Sequence, residues 1–280
     1  MATHSLAGSA LILSACAPAL SSFTPAHVAR AGHIQLELGT DVSIPSSGFD
    51  QLVNAGRQLE QNSASQQLTA KQQQDLLSAG WALILNPPAV IFHTGLAVGV
   101  VEDWEVSGRL VSGGWHLGGR HQFLHEARDG IDLSAGVGFG ANRIKLSDIS
   151  PFEQLSFDDY VRWHVDLPLL VGKSGTWYRW WAGPRLVLST YHTGMQLTLP
   201  PSEGNPGTQF STSLDGHSLH AGGQAGGALG YKWLFLAFEL TVTYVGATAN
   251  LDSTSSELGK FKTSTSGNVV YPALGLMGEF

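Results

Sequence analysis

Three ionisable residues, spaced two apart, are the set in this chain best suited to catalysis. Arg162, His164 and Asp166 fall at alternate positions, so in a β-strand their side chains share one face. A histidine beside a carboxylate can act as a general base. On one strand, however, residues two apart are separated by about 7 Å, too far for a direct hydrogen bond between His164 and Asp166. No serine is evidently paired with them, so we predict that the chain is not an enzyme; an enzyme acting on lipid or peptide is the alternative.

Other residue patterns that could indicate a functional site are less convincing in their sequence context. His121 and His125 would form a metal pair on a helix, but the alternation around them predicts a strand, on which they lie about 13 Å apart. The glycine-rich stretch 222–227 lacks the helix and lysine of a phosphate loop. Asp158 and Asp159 are a second candidate pair of catalytic carboxylates. We predict no metal site and no cofactor.

These residues belong to a pattern of period two that runs through most of the chain. From Ile131 to Ala141, apolar residues alternate with small or polar ones, and Leu234 to Tyr244 repeats the pattern. The same alternation begins at Ile34. It predicts further strands over 89–101, 104–112, 115–126, 156–171, 177–192, 217–232 and 268–280.

The connections between these strands alternate in length. The short ones are rich in turn-forming residues and span 101–103, 127–130, 173–176 and 232–233. The long ones span 45–88, 145–156, 193–216 and 252–267, with a short turn at Gly113 as the exception. Short and long connections in turn, around an even number of strands, are typical of outer-membrane barrels. We therefore predict an all-β fold, a transmembrane antiparallel up-and-down β-barrel of about ten strands with both termini in the periplasm.

Aromatic residues are concentrated near the strand ends, as two interfacial belts would require. Those near the short turns are Trp104, Trp177, Tyr178, Tyr231, Trp233 and Phe235; those near the long loops are Phe157, Tyr160, Tyr191 and Tyr244. A soluble sandwich, or a soluble lipid-binding barrel with its apolar face inward, would also place aromatic residues at strand ends, and both stay open.

Composition agrees with a barrel and excludes one class of partner. Only 13% of the residues are charged and 34 are glycine, which suits strands that face lipid and must curl. A net charge of −7 leaves no basic stripe to neutralise phosphates, so nucleic acid is not a predicted partner.

The N-terminus resembles a bacterial lipoprotein signal. An apolar run from Leu6 to Ala15 precedes Cys16, the only cysteine, and Leu13-Ser14-Ala15-Cys16 is similar to a lipobox, although no lysine or arginine precedes the run. The resemblance implies that residues 1–15 are removed and that Cys16 is lipidated. Because Ala17 replaces the aspartate of inner-membrane lipoproteins, it implies export to the outer membrane. Residues 16–32 are then predicted to be a flexible tether.

The C-terminus resembles the assembly signal of outer-membrane barrels. Leu274, Leu276 and the terminal Phe280 share one strand face. Residues 33–280 taken together resemble the large group of Gram-negative outer-membrane β-barrel proteins. The resemblance implies two partners, the barrel assembly machinery, which would recognise Phe280, and outer-membrane lipid. It names no activity.

If the apolar face meets lipid, the other face lines a lumen. The predicted polar network there comprises Glu37, Glu105, Arg109, Arg120, Asp132, Arg162, His164, Asp166, Arg179, Arg185 and Glu239. Buried charges require partners, so opposite charges should pair across strands. Eight-stranded barrels are just filled by side chains, so ten strands should leave a largely filled lumen and a structural or narrow-channel role.

The first long loop, 45–88, breaks this regularity. Thr69-Ala70-Lys71-Gln72 fits a capping box that opens a short helix closed by Gly80. The predicted helical insertion could fold inward, cap the mouth, hold a partner or stay solvated. A lid of this kind would make the protein a gated transporter of a small or hydrophobic solute.

Overall fold

The computed structural model of the chain describes residues 20–45, 74, 78, 81, 89–144, 155–199, 208–253 and 259–280. The predicted signal peptide, residues 1–15, and the predicted lipidation site Cys16 lie outside the described residues. No helix in the described part of the chain has the length and apolar character of a membrane span.

Antiparallel strands make up most of the described chain. They are β1 (Ile34–Pro45), β2 (Ala89–Val101), β3 (Trp104–Val111), β4 (Gly114–Leu124), β5 (Asp132–Ile144), β6 (Leu155–Phe157), β7 (Tyr160–Ser174), β8 (Tyr178–Leu199), β9 (Thr208–Tyr231), β10 (Leu234–Ser253) and β11 (Lys260–Glu279). A single helical turn, α1 (Glu126–Asp129), follows β4.

The strands close into one barrel. Apart from β6, each strand pairs with the next strand along the chain, with β5 pairing directly to β7, and β1 pairs with β11. The short β6 pairs with β8 beyond the end of β7, so β6 and β7 occupy one position in a ten-position wall. Ile34 and Phe280 close the seam through reciprocal backbone hydrogen bonds of 2.9 Å. The predicted up-and-down barrel is confirmed.

The wall is apolar outside and polar inside. On β10, Leu236, Phe238 and Leu240 are 55%, 56% and 47% exposed, whereas Glu239 between them is 2% exposed. Large exposed apolar side chains occur all around the barrel, from Leu36 on β1 to Leu276 on β11. A continuous apolar exterior of this size suits lipid and not water, so the fold is that of a transmembrane barrel. The alternative of an inward-facing apolar surface is wrong.

Several strands extend further than the alternation predicts. β8 continues to Leu199 and β10 to Ser253, so much of the predicted loops 193–216 and 252–267 is strand. Beyond Tyr244 the outward positions of β10 are small or polar, beginning with Gly246 and Thr248, while pairing to β9 and β11 continues. Where a strand extends beyond the membrane, its outer face contacts water. The alternation of apolar residues therefore ends before the strand does.

Three of the predicted belt aromatics lie inside the barrel instead. Phe235, Tyr160 and Tyr191 are at most 4% exposed, and their positions fall on the inward face of their strands. The prediction considered how far each residue lies from a turn but not which face of the strand it occupies. Trp177 and Tyr244 are exposed, as expected of an interfacial belt.

Candidate functional site

The lumen contains the chain's own N-terminal segment. Residues 20–32, here called the inner segment, run inside the barrel before β1 begins. Leu20 packs in a cluster with Val245 and Val269, at the long-loop half. The other end lies at the short-turn rim, where Gly32 donates a backbone hydrogen bond of 2.8 Å to the carbonyl of Gly99. The prediction of a flexible tether is therefore wrong for residues 20–32, which are held by the wall.

Carboxyl and amide side chains of the wall accept hydrogen bonds from the backbone of the inner segment. A backbone that forms no sheet needs other partners for its buried N–H and C=O groups. Its N–H donors and their acceptors are Ser21 to Asp41 (3.0 Å), Ser22 to Glu239 (3.2 Å), Val28 to Gln122 (2.9 Å) and Ala29 to Glu105 (2.8 Å).

Two arginines bind its carbonyl groups in return. Arg109 donates to the carbonyl of Ser21 at 2.9 Å. Arg120 donates to the carbonyl of Pro25 at 2.6 Å and to that of His27 at 3.3 Å. Hydrogen bonds that involve a charged group are roughly twice as strong as neutral ones, so the charged wall is a specific receptor for this extended chain.

Inward-facing glycines make room for the inner segment. A Cβ added to Gly39 would lie 2.1 Å from Cε2 of Phe23, and one added to Gly275 would lie 2.5 Å from the same atom. A Cβ on Gly99 would lie 2.1 Å from the carbonyl oxygen of Arg30. Phe23 is 1% exposed and belongs to the main apolar cluster of the lumen. The wall is thus shaped around the segment on β1, β2 and β11.

His27 ties the segment to the short-turn end. Its Nε2 lies 2.9 Å from a carboxylate oxygen of Glu279, and its Nδ1 lies 2.5 Å from the hydroxyl of Ser174. Arg179 binds the same Glu279 carboxylate.

All eleven residues of the predicted polar network face the lumen side of the wall. Glu37, Arg109 and His164 are partly exposed, and the other eight are buried. Four arginine–carboxylate ion pairs are present. Two join neighbouring strands, Glu105 with Arg120 and Asp166 with Arg185. The other two join strands that are not adjacent, Glu37 of β1 with Arg109 of β3 and Glu279 of β11 with Arg179 of β8.

His164 and Asp166, the candidate catalytic residues, do not form a pair of general base and carboxylate. Asp166 accepts two hydrogen bonds from Arg185, at 2.9 and 2.5 Å. The ring of His164 instead stacks on His116, with centroids 5.7 Å apart. No hydrogen bond joins His164 to Asp166 in the described contacts, because the alternating positions point both side chains inward at different heights.

The other candidate sites are also accounted for by local contacts. His121 stacks on Trp104 at a centroid distance of 4.5 Å, and His125 contacts the carboxylate of Asp103 at 2.5 Å. Arg143 binds Asp159 at 2.9 Å. Within the described ranges, no group of three or more His, Cys, Asp or Glu side chains is arranged to hold a metal.

Little space remains between the inner segment and the wall. One cavity of about 20 Å³ is lined by Leu20, His116 and Arg185, among others, and another of about 30 Å³ is lined by Phe23 and Glu37. Such volumes accommodate only one or two water molecules each. These two cavities are therefore too small to hold a larger solute.

Two described residues of the first long loop contact the barrel wall. Of residues 46–88 the structure describes Gln74, Ser78 and Trp81, and all three have helical backbone. Trp81 is fully buried against Tyr191 on the inner face of β8, with ring centroids 4.5 Å apart. Ser78 contacts the hydroxyl of Thr263 on β11 at 3.1 Å.

The binding role of residues 20–32 is the functional feature that sequence reasoning missed. One signal was available in the predicted strands. Gly39, Gly99 and Gly275 all fall on the polar, inward face. If wall side chains alone filled the lumen, larger residues would be expected at these positions. Glycines on one face mark a close approach by another backbone or ligand.

Comparisons with known proteins show only weak similarity. No protein-family model and no curated protein sequence matches the chain. Among solved structures it is similar to CarO of Acinetobacter baumannii, with 12% identity, 59% of this chain and 92% of that chain covered, and a TM-score of 0.34. The N-terminal β-barrel domain of Pseudomonas aeruginosa OprF is 8% identical, with 88% and 97% covered and a TM-score of 0.21. The CymD monoaromatic hydrocarbon channel is 9% identical, with 89% of each chain covered and a TM-score of 0.27. Because the similarity is this low, the function has to be inferred from the chemistry of the lumen.

Proposed function

We propose that the chain is a β-barrel protein of the bacterial outer membrane whose lumen is closed by its own inner segment and conducts small solutes only when that segment leaves. In the closed state its role is structural. Outer-membrane lipid contacts the apolar exterior, and the barrel assembly machinery recognises the terminal strand that ends in Phe280.

The observation that carries this proposal is the binding of the inner segment by charged wall side chains. Asp41, Glu105 and Glu239 accept its N–H groups, and Arg109 and Arg120 bind its carbonyls. Each of these contacts is a hydrogen bond that water can replace. The closure is therefore reversible in principle, unlike a lumen filled by wall side chains alone.

Cys16 is the second element of the proposal, as the site of a lipid anchor. The support is the lipobox-like sequence and the apolar run before it. Incorporation of labelled palmitate that is lost in Cys16→Ser supports the anchor, and unlabelled native protein contradicts it.

The chain acts as a barrel and not as an enzyme. Asp166 is engaged by Arg185, and His164 has another histidine as its neighbour, so neither residue is arranged as a catalytic base. Turnover of lipid or peptide by the purified barrel that disappears in His164→Ala would overturn this part of the proposal.

A lid at the mouth is a second candidate, favoured by the burial of Trp81 against Tyr191. In that case the first long loop closes the long-loop end while the inner segment closes the lumen below it. Trp81→Ala would then raise conductance only in protein whose inner segment has already been removed.

Planar-bilayer conductance tests the main proposal. Arg30 to His33 are exposed at the short-turn rim, so a specific protease site inserted between Ala31 and Gly32 can be cut in the assembled barrel. We expect little current before cutting and a stable current after the segment is cut and washed out. Deletion of residues 20–31 provides a second open preparation. An equal current in intact and opened barrels contradicts closure by this segment, and no current in either opened barrel contradicts a channel.

A further inference from the structure

Most charged side chains of the lumen wall form ion pairs, but two carboxylates at one level of the barrel do not. Asp41 on β1 is fully buried and Glu239 on β10 is 2% exposed. Neither has an arginine or lysine within ion-pair distance among the residues that the structure describes. The nearest cationic candidate for Asp41 is His93, whose Nε2 lies 3.8 Å from Oδ1.

Asp41 and Glu239 lie at the same height of the barrel. Both are register partners of Ala273 on β11, Asp41 from one side and Glu239 from the other. Since all three positions point inward, the two carboxylates flank a small alanine and face the lumen together.

Backbone N–H groups of the inner segment lie on both carboxylates. Ser21 donates to Asp41 at 3.0 Å, and the next residue, Ser22, donates to Glu239 at 3.2 Å. The remaining oxygen of Asp41, Oδ1, is buried and has no hydrogen-bond partner among the described residues. When the segment leaves, both carboxylates lose a donor and face the open lumen.

The rest of the lumen does not offset this negative pair. Arg162 is the buried arginine without a carboxylate partner among the described residues, and it binds Ser189 and the ring of His220 instead. Asp132, near the short-turn end, accepts from the side chain of Gln122 and also lacks a cationic partner in the described part of the wall. The uncompensated charges are thus predominantly negative, and the closest pair lies at the level of Ala273.

We propose that the opened lumen is selective for small cations, and that Asp41 and Glu239 are the residues that determine this selectivity. The inference rests on the proposed function and adds the class of solute. Facing carboxylates in a pore attract cations and repel anions. In the closed barrel the N–H groups of Ser21 and Ser22 occupy the position that a permeating cation would take.

The test is the reversal potential of opened barrels in a gradient of potassium chloride. Barrels opened by cutting at the short-turn rim and barrels that lack residues 20–31 are both measured. We expect potassium to permeate several-fold more readily than chloride. Asp41→Asn with Glu239→Gln should bring the ratio close to one, and each single substitution should bring it part of the way. Glu102→Gln, which removes an exposed carboxylate from the β2–β3 turn, is the matched control and should leave the ratio unchanged.

The outcomes separate the two proposals. A current that favours chloride, or a ratio unaffected by the double substitution, overturns the cation selectivity and leaves the closed-channel function standing. No current from either opened preparation overturns both. Heat-modifiable migration on gels confirms that each variant has folded before its current is measured.

Discussion

Arg120 and Glu105 form a buried ion pair of 2.6 Å between β4 and β3, and both residues also bind the inner segment. Arg120 donates to the carbonyl of Pro25, and Glu105 accepts the N–H of Ala29. One wall pair thus stabilises the barrel and the position of the segment together.

Arg120→Met should therefore destabilise the barrel strongly. Removing one partner of a buried pair leaves the other charge uncompensated, which typically costs about 3–5 kcal/mol. The double variant Arg120→Met with Glu105→Gln should cost clearly less than the sum of the two single changes. Urea unfolding in lipid vesicles measures each free energy; additive costs would show that the two residues do not interact.

The contact between Phe23 and Gly39 predicts that a larger side chain at position 39 can be compensated by a smaller one at position 23. Gly39→Ala places a methyl group against the Phe23 ring, and overpacking of this kind typically costs about 1–3 kcal/mol. Backbone hydrogen exchange at Ser21 and Ser22 should become faster, and Phe23→Ala in the same chain should partly reverse the change. The control Gly246→Ala faces outward, where the nearest atom is 3.9 Å away. Equal exchange in all variants would contradict the docking of the segment.

The exterior of β10 predicts how charge is tolerated along one strand. Leu240→Arg puts a cation in the apolar exterior, where the cost near the bilayer centre is about 2–4 kcal/mol. Asn250→Arg, on the same face but beyond the apolar stretch, should change the free energy of unfolding far less. Equal costs at the two positions would argue against a membrane around this surface.

The direction of the inner segment constrains the predicted lipid anchor. Leu20 lies at the long-loop half of the lumen, and position 16 can be no more than about 14 Å from it in an extended chain. With the segment docked, an epitope inserted after residue 16 should bind antibody on intact cells. Binding only after the outer membrane is permeabilised would contradict this direction.

The wall could be predicted from the sequence because its signal is local. Alternation from Leu234 to Tyr244 indicates which side chains meet lipid, and the same parity places Glu239 and Arg185 inward. The partners were harder to predict, since Asp166 meets Arg185 only through the register of β7 against β8. The sequence of the inner segment does not indicate its contacts, because partners such as Ser22 and Glu239 are 217 positions apart. Ser21, Ser22 and Pro25 favour irregular backbone, but backbone type does not say where a chain lies.

Photo-crosslinking from position 23 tests the central claim most directly. A benzoylphenylalanine at Phe23, activated in native outer membranes, should crosslink within the same chain to peptides of β1, β2 or β11, because Phe23 packs on Gly39, His93 and Gly275. The same probe at exposed Trp177 should give no such crosslinks. Crosslinks from position 23 to other proteins or to lipid, with none to these strands, would show that the inner segment lies outside the lumen and would contradict the account.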